Sequence, residues 1–165
     1  MVAWSAFERA DVESVGARAE DVELLCGVGL PEDSCRMFVR NRRRDMEVRD
    51  VTSAGRLAFL GDFEDGVNTY WLNVSSGSVW MASGYEFESA SFTCVNSSLR
   101  SLQEILEIWE GFIFSGIHEE DDAYEALVER TLAAAYGVDP GIFRDEESWW
   151  SRVFEEIELG SLGPV

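Results

Sequence analysis

The hydrophobic period of this chain changes for good at Asn96. Before it, apolar residues alternate in short runs such as "GRLAFLGD", "NTYWLNV" and "SVWMAS", separated by Gly, Asn, Ser and Asp. After it, "NSSLRSLQEILEIWEGFIF" spaces Leu99, Leu102, Leu106, Trp109 and Ile113 three and four apart. A period of two lines one face of a strand, and a period near 3.6 lines one face of a helix. A chain whose strands come in one run and whose later helices come in another does not wind as alternating βαβ units. The expectation is an α+β fold: a mostly antiparallel sheet of about six strands flanked by helices, in one domain over 19–160.

Residues 1–18 show no clean period and are expected to be irregular or a short helix. Val22, Leu25 and Cys26 then stand at helical spacing, with Gly27, Gly29 and Pro31 to stop the helix. "CRMFVRN" reads as a strand with Met37 and Val39 on one side and Arg36, Phe38 and Arg40 on the other. "MEVRDV" and "GRLAFLGD" follow, the latter setting Leu57, Phe59 and Gly61 against Ala58 and Leu60. "TYWLNVSSGSVWMAS" reads as a hairpin turning at Ser75–Ser78, with Val74 opposite Val79, Leu72 opposite Met81 and Asn73 opposite Trp80. Trp71 and Trp80 are then diagonal neighbours on one face, expected to be covered by helices. "YEFESASFTCV" is again strand-like. Beyond the helix that starts near Asn96, Tyr124, Leu127, Val128, Leu132 and Ala135 mark a second, ended by Gly137. Asp139 and Pro140 suit the start of a third, carrying Trp149, Trp150, Val153, Phe154 and Ile157.

Charge narrows the function classes. The chain has 32 acidic residues against 13 basic ones, all Arg, for a net −19. Between Arg36 and Arg56 seven Arg face three acids, a local net of +4 that leaves −23 elsewhere. Such a surface repels nucleic acid and anionic membranes and steers a basic partner inward. With no run of about 18 apolar residues and no basic-then-apolar start, the chain is expected to be soluble and cytoplasmic. The cysteines Cys26, Cys35 and Cys94 have neither even number nor C-x-x-C spacing, so no disulfide framework or zinc site is expected.

The catalytic inventory is thin, and no cofactor is expected. The single histidine, His118, sits in the run "HEEDD" and reads as an exposed loop residue. No nucleophile elbow, phosphate loop or dinucleotide fingerprint is present. "DFEDG", Asp62 to Gly66, has its glycine one position early for a calcium loop and no glutamate at the twelfth, so it reads as a turn with solvated acids. "RNRRRD" lacks interleaved aromatics and reads as a loop of local ion pairs rather than a phosphate site.

Two pieces taken together are familiar. "GVGLPED" lies between a helix and a strand, and "FLGDFEDGVNTYWLNVSSGSVWMAS" is followed by "CVNSSLRSLQEILEIW". This order resembles the SUKH superfamily of bacterial immunity proteins, most closely its fourth subfamily, over roughly residues 20 to 160. Gly29, Leu30 and Pro31 match its G-L-P element, Gly61 its strand glycine, and Asn96 and Ser98 its helix start. Each has a structural reading: chain reversal for Gly29 and Pro31, a core plug for Leu30, capping for Asn96 and Ser98.

The resemblance implies an α+β binding protein, encoded beside a polymorphic toxin and protecting the producer by occupying that toxin. A nuclease or deaminase toxin with a basic cleft suits the acidic composition, and like-charged copies argue for a monomer. Glu64 and Asp65, the run Glu119, Glu120, Asp121 and Asp122, and the indoles Trp71 and Trp80 are the candidate contact residues. A regulatory or scaffold domain of the same fold, without a toxin, is the alternative. An enzyme working through paired carboxylates ranks behind both, because no base, nucleophile and orienting group are recognisable together.

Overall fold

The structure is a computed structural model describing residues 2–165, so Met1 of the 1–18 segment lies outside the described residues. Its sheet is a five-stranded antiparallel meander in the order β3-β4-β5-β6-β7. The strands are Val48–Val51, Gly55–Asp62, Asn68–Asn73, Val79–Ser83 and Ser91–Asn96. A two-stranded ribbon pairs β1, Trp4–Ser5, with β2, Leu30–Pro31. The helices are α1 Arg9–Ser14, α2 Ala19–Gly27, α3 Leu99–Ile113, α4 Tyr124–Val138 and α5 Trp149–Glu158. The switch of period at Asn96 is thus the switch from sheet to helices, and the α+β expectation holds.

Helix α3 supplies the main core. Leu99, Leu102, Ile105, Leu106, Trp109, Phe112 and Ile113 are all buried along one side of it. They join one core with Tyr70, Leu72, Val79 and Met81 from the inner face of the sheet, and with Trp150, Phe154 and Ile157 from α5. Each fully buried aliphatic or aromatic side chain there contributes on the order of 2 kcal/mol. Residues before Ala19 enter the same core, through Val12 of α1 and the partly buried Trp4 and Phe7.

The G-L-P element fastens this N-terminal part. Gly29 has φ +76, and a Cβ there would strike the Ser5 carbonyl across the ribbon. Its N–H closes α2 onto Leu24 O at 2.9 Å, and its carbonyl accepts from Gln103 Nε2 of α3 at 2.8 Å. Leu30 is fully buried. A left-handed conformation and a backbone within touching distance both require glycine at this place.

Five local expectations are corrected. Residues 35–41 are not a strand: Cys35 and Arg36 take φ +51 and +82, and the adjacent Met37 and Phe38 are both buried. Ser34 Oγ accepts the Phe38 N–H at 2.7 Å, an alternative to a strand ladder. The β5–β6 hairpin pairs Leu72 with Val79, Trp71 with Trp80 and Tyr70 with Met81, two residues out from the expected register. Asn73 Oδ1 accepts the Ser75 and Ser76 N–H groups at 3.0 and 2.9 Å and closes a longer loop. A shift of two keeps every side chain on its expected face, but Val74 leaves the ladder and packs with Val15 and Ala58. In β4 a bulge follows Phe59, so Gly61 pairs with Tyr70 instead of sharing the Phe59 face. A Cβ on Gly61 would strike the Phe38 ring, which fills the space the glycine leaves.

The fourth correction concerns Asp139. It does not cap a following helix; α5 begins ten residues later with Ser148 accepting the Ser151 N–H at 3.2 Å. Asp139 is buried, and its Oδ2 accepts from Ser97 N, Ser97 Oγ and Ser101 Oγ, each at 2.8 Å. Ser98 is the N-cap of α3, accepting the Ser101 N–H at 3.1 Å. Asn96 is no cap: fully buried, it donates to Ser101 Oγ at 3.1 Å and accepts from Trp150 Nε1 at 2.9 Å. The start of α3 is therefore locked to the loop after α4 and to α5.

Candidate protein-binding surface

The sheet has a second face, away from α3. Leu57, Phe59, Trp71 and Ala82 form a small buried cluster there. No α-helix supplies its lid. Phe87, from a single 3₁₀ turn at Phe87–Ser89, lies 4.8 Å from the Trp71 ring and 5.1 Å from Phe92. Arg44 lies over Phe59 at 4.0 Å and within 5.2 Å of Trp71. Trp71 is consequently 0% exposed, with its Nε1 donating to Thr69 Oγ1 at 2.7 Å. A ring with no surface has nothing to offer a partner, so Trp71 leaves the candidate contact set. Trp80, directly across from it, is half-buried and keeps a rim in solvent.

The acidic candidates fall into two groups at opposite ends of α5. Asp65 holds the β4–β5 turn, its carboxylate accepting from Val67 N, Asn68 N and Asn68 Nδ2 at 2.7–2.9 Å. Glu64 is exposed and 3.6 Å from Arg36. Phe63 of the same turn meets Trp149, the first residue of α5, edge-on at 5.0 Å. At the other end, Glu119 lies against Gly160, just past the last turn of α5. Ten helical residues separate the groups by about 15 Å. Trp80 stands on a different side again, across the sheet.

The run after α3 is fully exposed from His118 to Ala123. Asp121 Oδ2 accepts the His118 N–H at 2.7 Å and shapes the turn before α4. Glu119, Asp121 and Asp122 line an open cleft of about 530 Å³ together with Tyr124, Glu125 and Glu158. A second cleft of about 350 Å³ adjoins it through Glu158 and adds Tyr136, Phe143, Glu146 and Glu155. No base lines either cleft. None of these seven acids has a base within ion-pair distance among the described residues. Burial, then the neighbouring carboxylates Glu119 and Glu158, push the Tyr124 and Tyr136 hydroxyls up. Glu125, Glu146, Glu155 and Glu158 and the exposed Leu159 and Tyr136 were not singled out in the sequence. Their signal was available as apolar residues displaced from the buried stripe of acidic helices.

The basic segment behaves differently. Arg42 pairs with Glu32, Arg44 with Glu47, and Arg49 with Glu47 and Glu88. Arg40 is partly buried over the Phe7 ring at 3.5 Å and donates to Ser5 O at 3.2 Å. These arginines tie the 40–49 loop to the N-terminal ribbon and the sheet. Among the described residues no group of His, Cys, Asp and Glu is arranged to hold a metal ion. Among the described residues no helix is long and apolar enough to cross a membrane.

The meander and its helical layer define an α+β fold, one side of which carries carboxylates with no base beside them. The family model for SUKH-4 immunity proteins matches residues 4–156 of the 165, and the chain belongs to that family. No curated protein and no solved structure matches the chain.

Proposed function

We propose that this chain neutralises a cognate polymorphic toxin, of nuclease or deaminase type, by direct stoichiometric binding in the cytoplasm. The toxin domain is basic, the inhibitor is a monomer, and no nucleic acid takes part. The observation that carries this reading is the wall of seven acids along α4 and α5 that no arginine neutralises. Elsewhere the arginines already hold many of the carboxylates they could attract. An unpaired acidic wall raises the local concentration of a cationic domain and accelerates encounter. The substrate cleft of a nuclease is cationic for the same reason that its substrate is anionic, so a body with this wall competes for it. Glu119, Glu120, Asp121 and Asp122 act in steering, with Glu64 and Asp65 a secondary group at the far end of α5. Trp80 is an anchor, since a half-buried indole gains from full desolvation.

The test is co-expression with the toxin domain encoded in the adjacent reading frame. The expected result is that host growth is restored and that the two chains elute together at one-to-one stoichiometry. Restored growth without a complex would point instead to removal of the toxin or its product, and the binding reading would fail.

A further inference from the structure

Strand β7 is the sheet edge next to β6, and its outer side is bare. None of the backbone groups from Ser91 to Val95 bonds to anything beyond β6 among the described residues. Ser91, Thr93 and Cys94 are exposed, and Phe92 is half-buried. Free edges are templates for another strand, and proteins ordinarily guard them with charge, proline or brevity. The opposite edge, β3, is guarded: it is four residues long and carries Arg49 and Asp50. β7 is six residues, "SFTCVN", without a charge or a proline. In a chain where 27% of residues are charged, the unguarded edge stands out.

We propose that β7 is where the partner adds a strand, extending the meander to six. This rests on the toxin-binding reading and names how the toxin docks. An added strand runs about 4.8 Å from β7, and every second side chain falls on the face shared by Phe92 and Cys94. That face continues inward to Trp80, paired with Cys94, and to Phe87, which meets Phe92 edge-on. A shallow cleft of about 600 Å³ opens on the same side of the sheet, lined by Phe87, Glu88, Ala90 and Phe92 and, from β3, by Arg49, Asp50 and Val51. The fitting segment is extended, five or six residues long, apolar at alternate positions and free of acids. The occupant is the toxin and not a second copy of this chain. Joining two bodies of −19 at a neutral edge sets their fields against each other, whereas a cationic body is drawn toward it.

The experiment is hydrogen–deuterium exchange of the full chain, alone and saturated with the toxin domain encoded in the adjacent reading frame. Those amides of Ser91–Val95 that point away from β6 are expected to exchange readily in the free chain and to slow by about tenfold or more in the complex. Thr93→Pro is expected to weaken binding by about tenfold or more, and Thr93→Val to leave it unchanged. The exchange of α3 amides reports whether the proline variant is folded, and the wild-type comparison stands without it. A complex in which β7 exchange is unchanged would overturn the edge proposal while leaving the immunity reading intact. If no complex forms, the immunity reading fails and this proposal fails with it. Protection already present in the free chain, with a dimer in sedimentation, would assign the edge to a second copy and overturn the proposal.

Discussion

Two half-buried carboxylates near the N-terminal ribbon set opposite pH responses. Glu32 is held at about 2 by the Arg42 guanidinium, below the ordinary 4.5. A depressed carboxyl contributes stability that is complete above its ordinary value and is lost as pH falls through the folded one. Unfolding by urea is therefore expected to become easier between about pH 4.5 and about pH 2, and Arg42→Ala should flatten that slope. Glu110 runs the other way. Burial pushes its carboxyl up, and Oε1 is buried without a partner while Oε2 accepts from Trp4 Nε1 at 2.9 Å. Its contribution is complete below the ordinary value and is lost as pH rises through the raised one. Glu110→Gln keeps a neutral acceptor for Trp4 and is expected to raise the melting temperature at pH 7 by about 2 °C. A lower melting temperature at pH 7 would show that the charge is needed where it stands. Asp139 is the costlier residue: Asp139→Ala removes the acceptor of Ser97 N, Ser97 Oγ and Ser101 Oγ, of which the last keeps Ser98 O, and should cost about 2 kcal/mol in urea unfolding.

Among elements, the N-terminal ribbon depends on one glycine. Gly29→Ala must both leave a left-handed conformation and push Ser5 away, so a loss of about 3 kcal/mol is expected, with exchange opening first at Trp4–Ser5. Most of the architecture was legible from the sequence. The period change at Asn96 separates meander from helices, the stripe from Leu99 to Ile113 is the core stripe of α3, and of the expected face Tyr70, Leu72, Val74, Val79 and Met81 all but Val74 line the inner face of the sheet. Apart from the β4 bulge between Phe59 and Gly61, what escaped was set by single polar side chains. Asn73 moved the hairpin register, and Ser34 folded the 35–41 segment away from a ladder. Asp139 bonded a helix start forty residues upstream instead of its own. Alternation and cap rules weigh local neighbours, and these three residues chose partners by geometry that pattern alone does not carry. The candidate surface was partly legible. The run Glu119–Asp122 stood out as charge, but its continuation along α4 and α5 needed the helices side by side. Trp71 is covered as expected, though by a 3₁₀ turn and an arginine rather than by helices, and that cover takes it out of the contact set.

Over the whole molecule, the distribution of charge decides behaviour. Arginines are spent on the 36–56 segment, where they pair with acids and stack on rings, while the α4–α5 side keeps its carboxylates unpaired. The account's central claim is that this imbalance draws a cationic toxin to the protein. Its most direct test is the association rate with the toxin domain encoded in the adjacent reading frame, measured against salt for the wild type and for Glu119→Ser, Glu120→Ser, Asp121→Asn, Asp122→Ser combined. The asparagine preserves an acceptor for the His118 N–H. The account predicts a wild-type rate that falls about tenfold or more between low and high salt, with the variant slow and nearly flat throughout. A wild-type rate indifferent to salt, or a variant that associates as fast as the wild type at low salt, would contradict it.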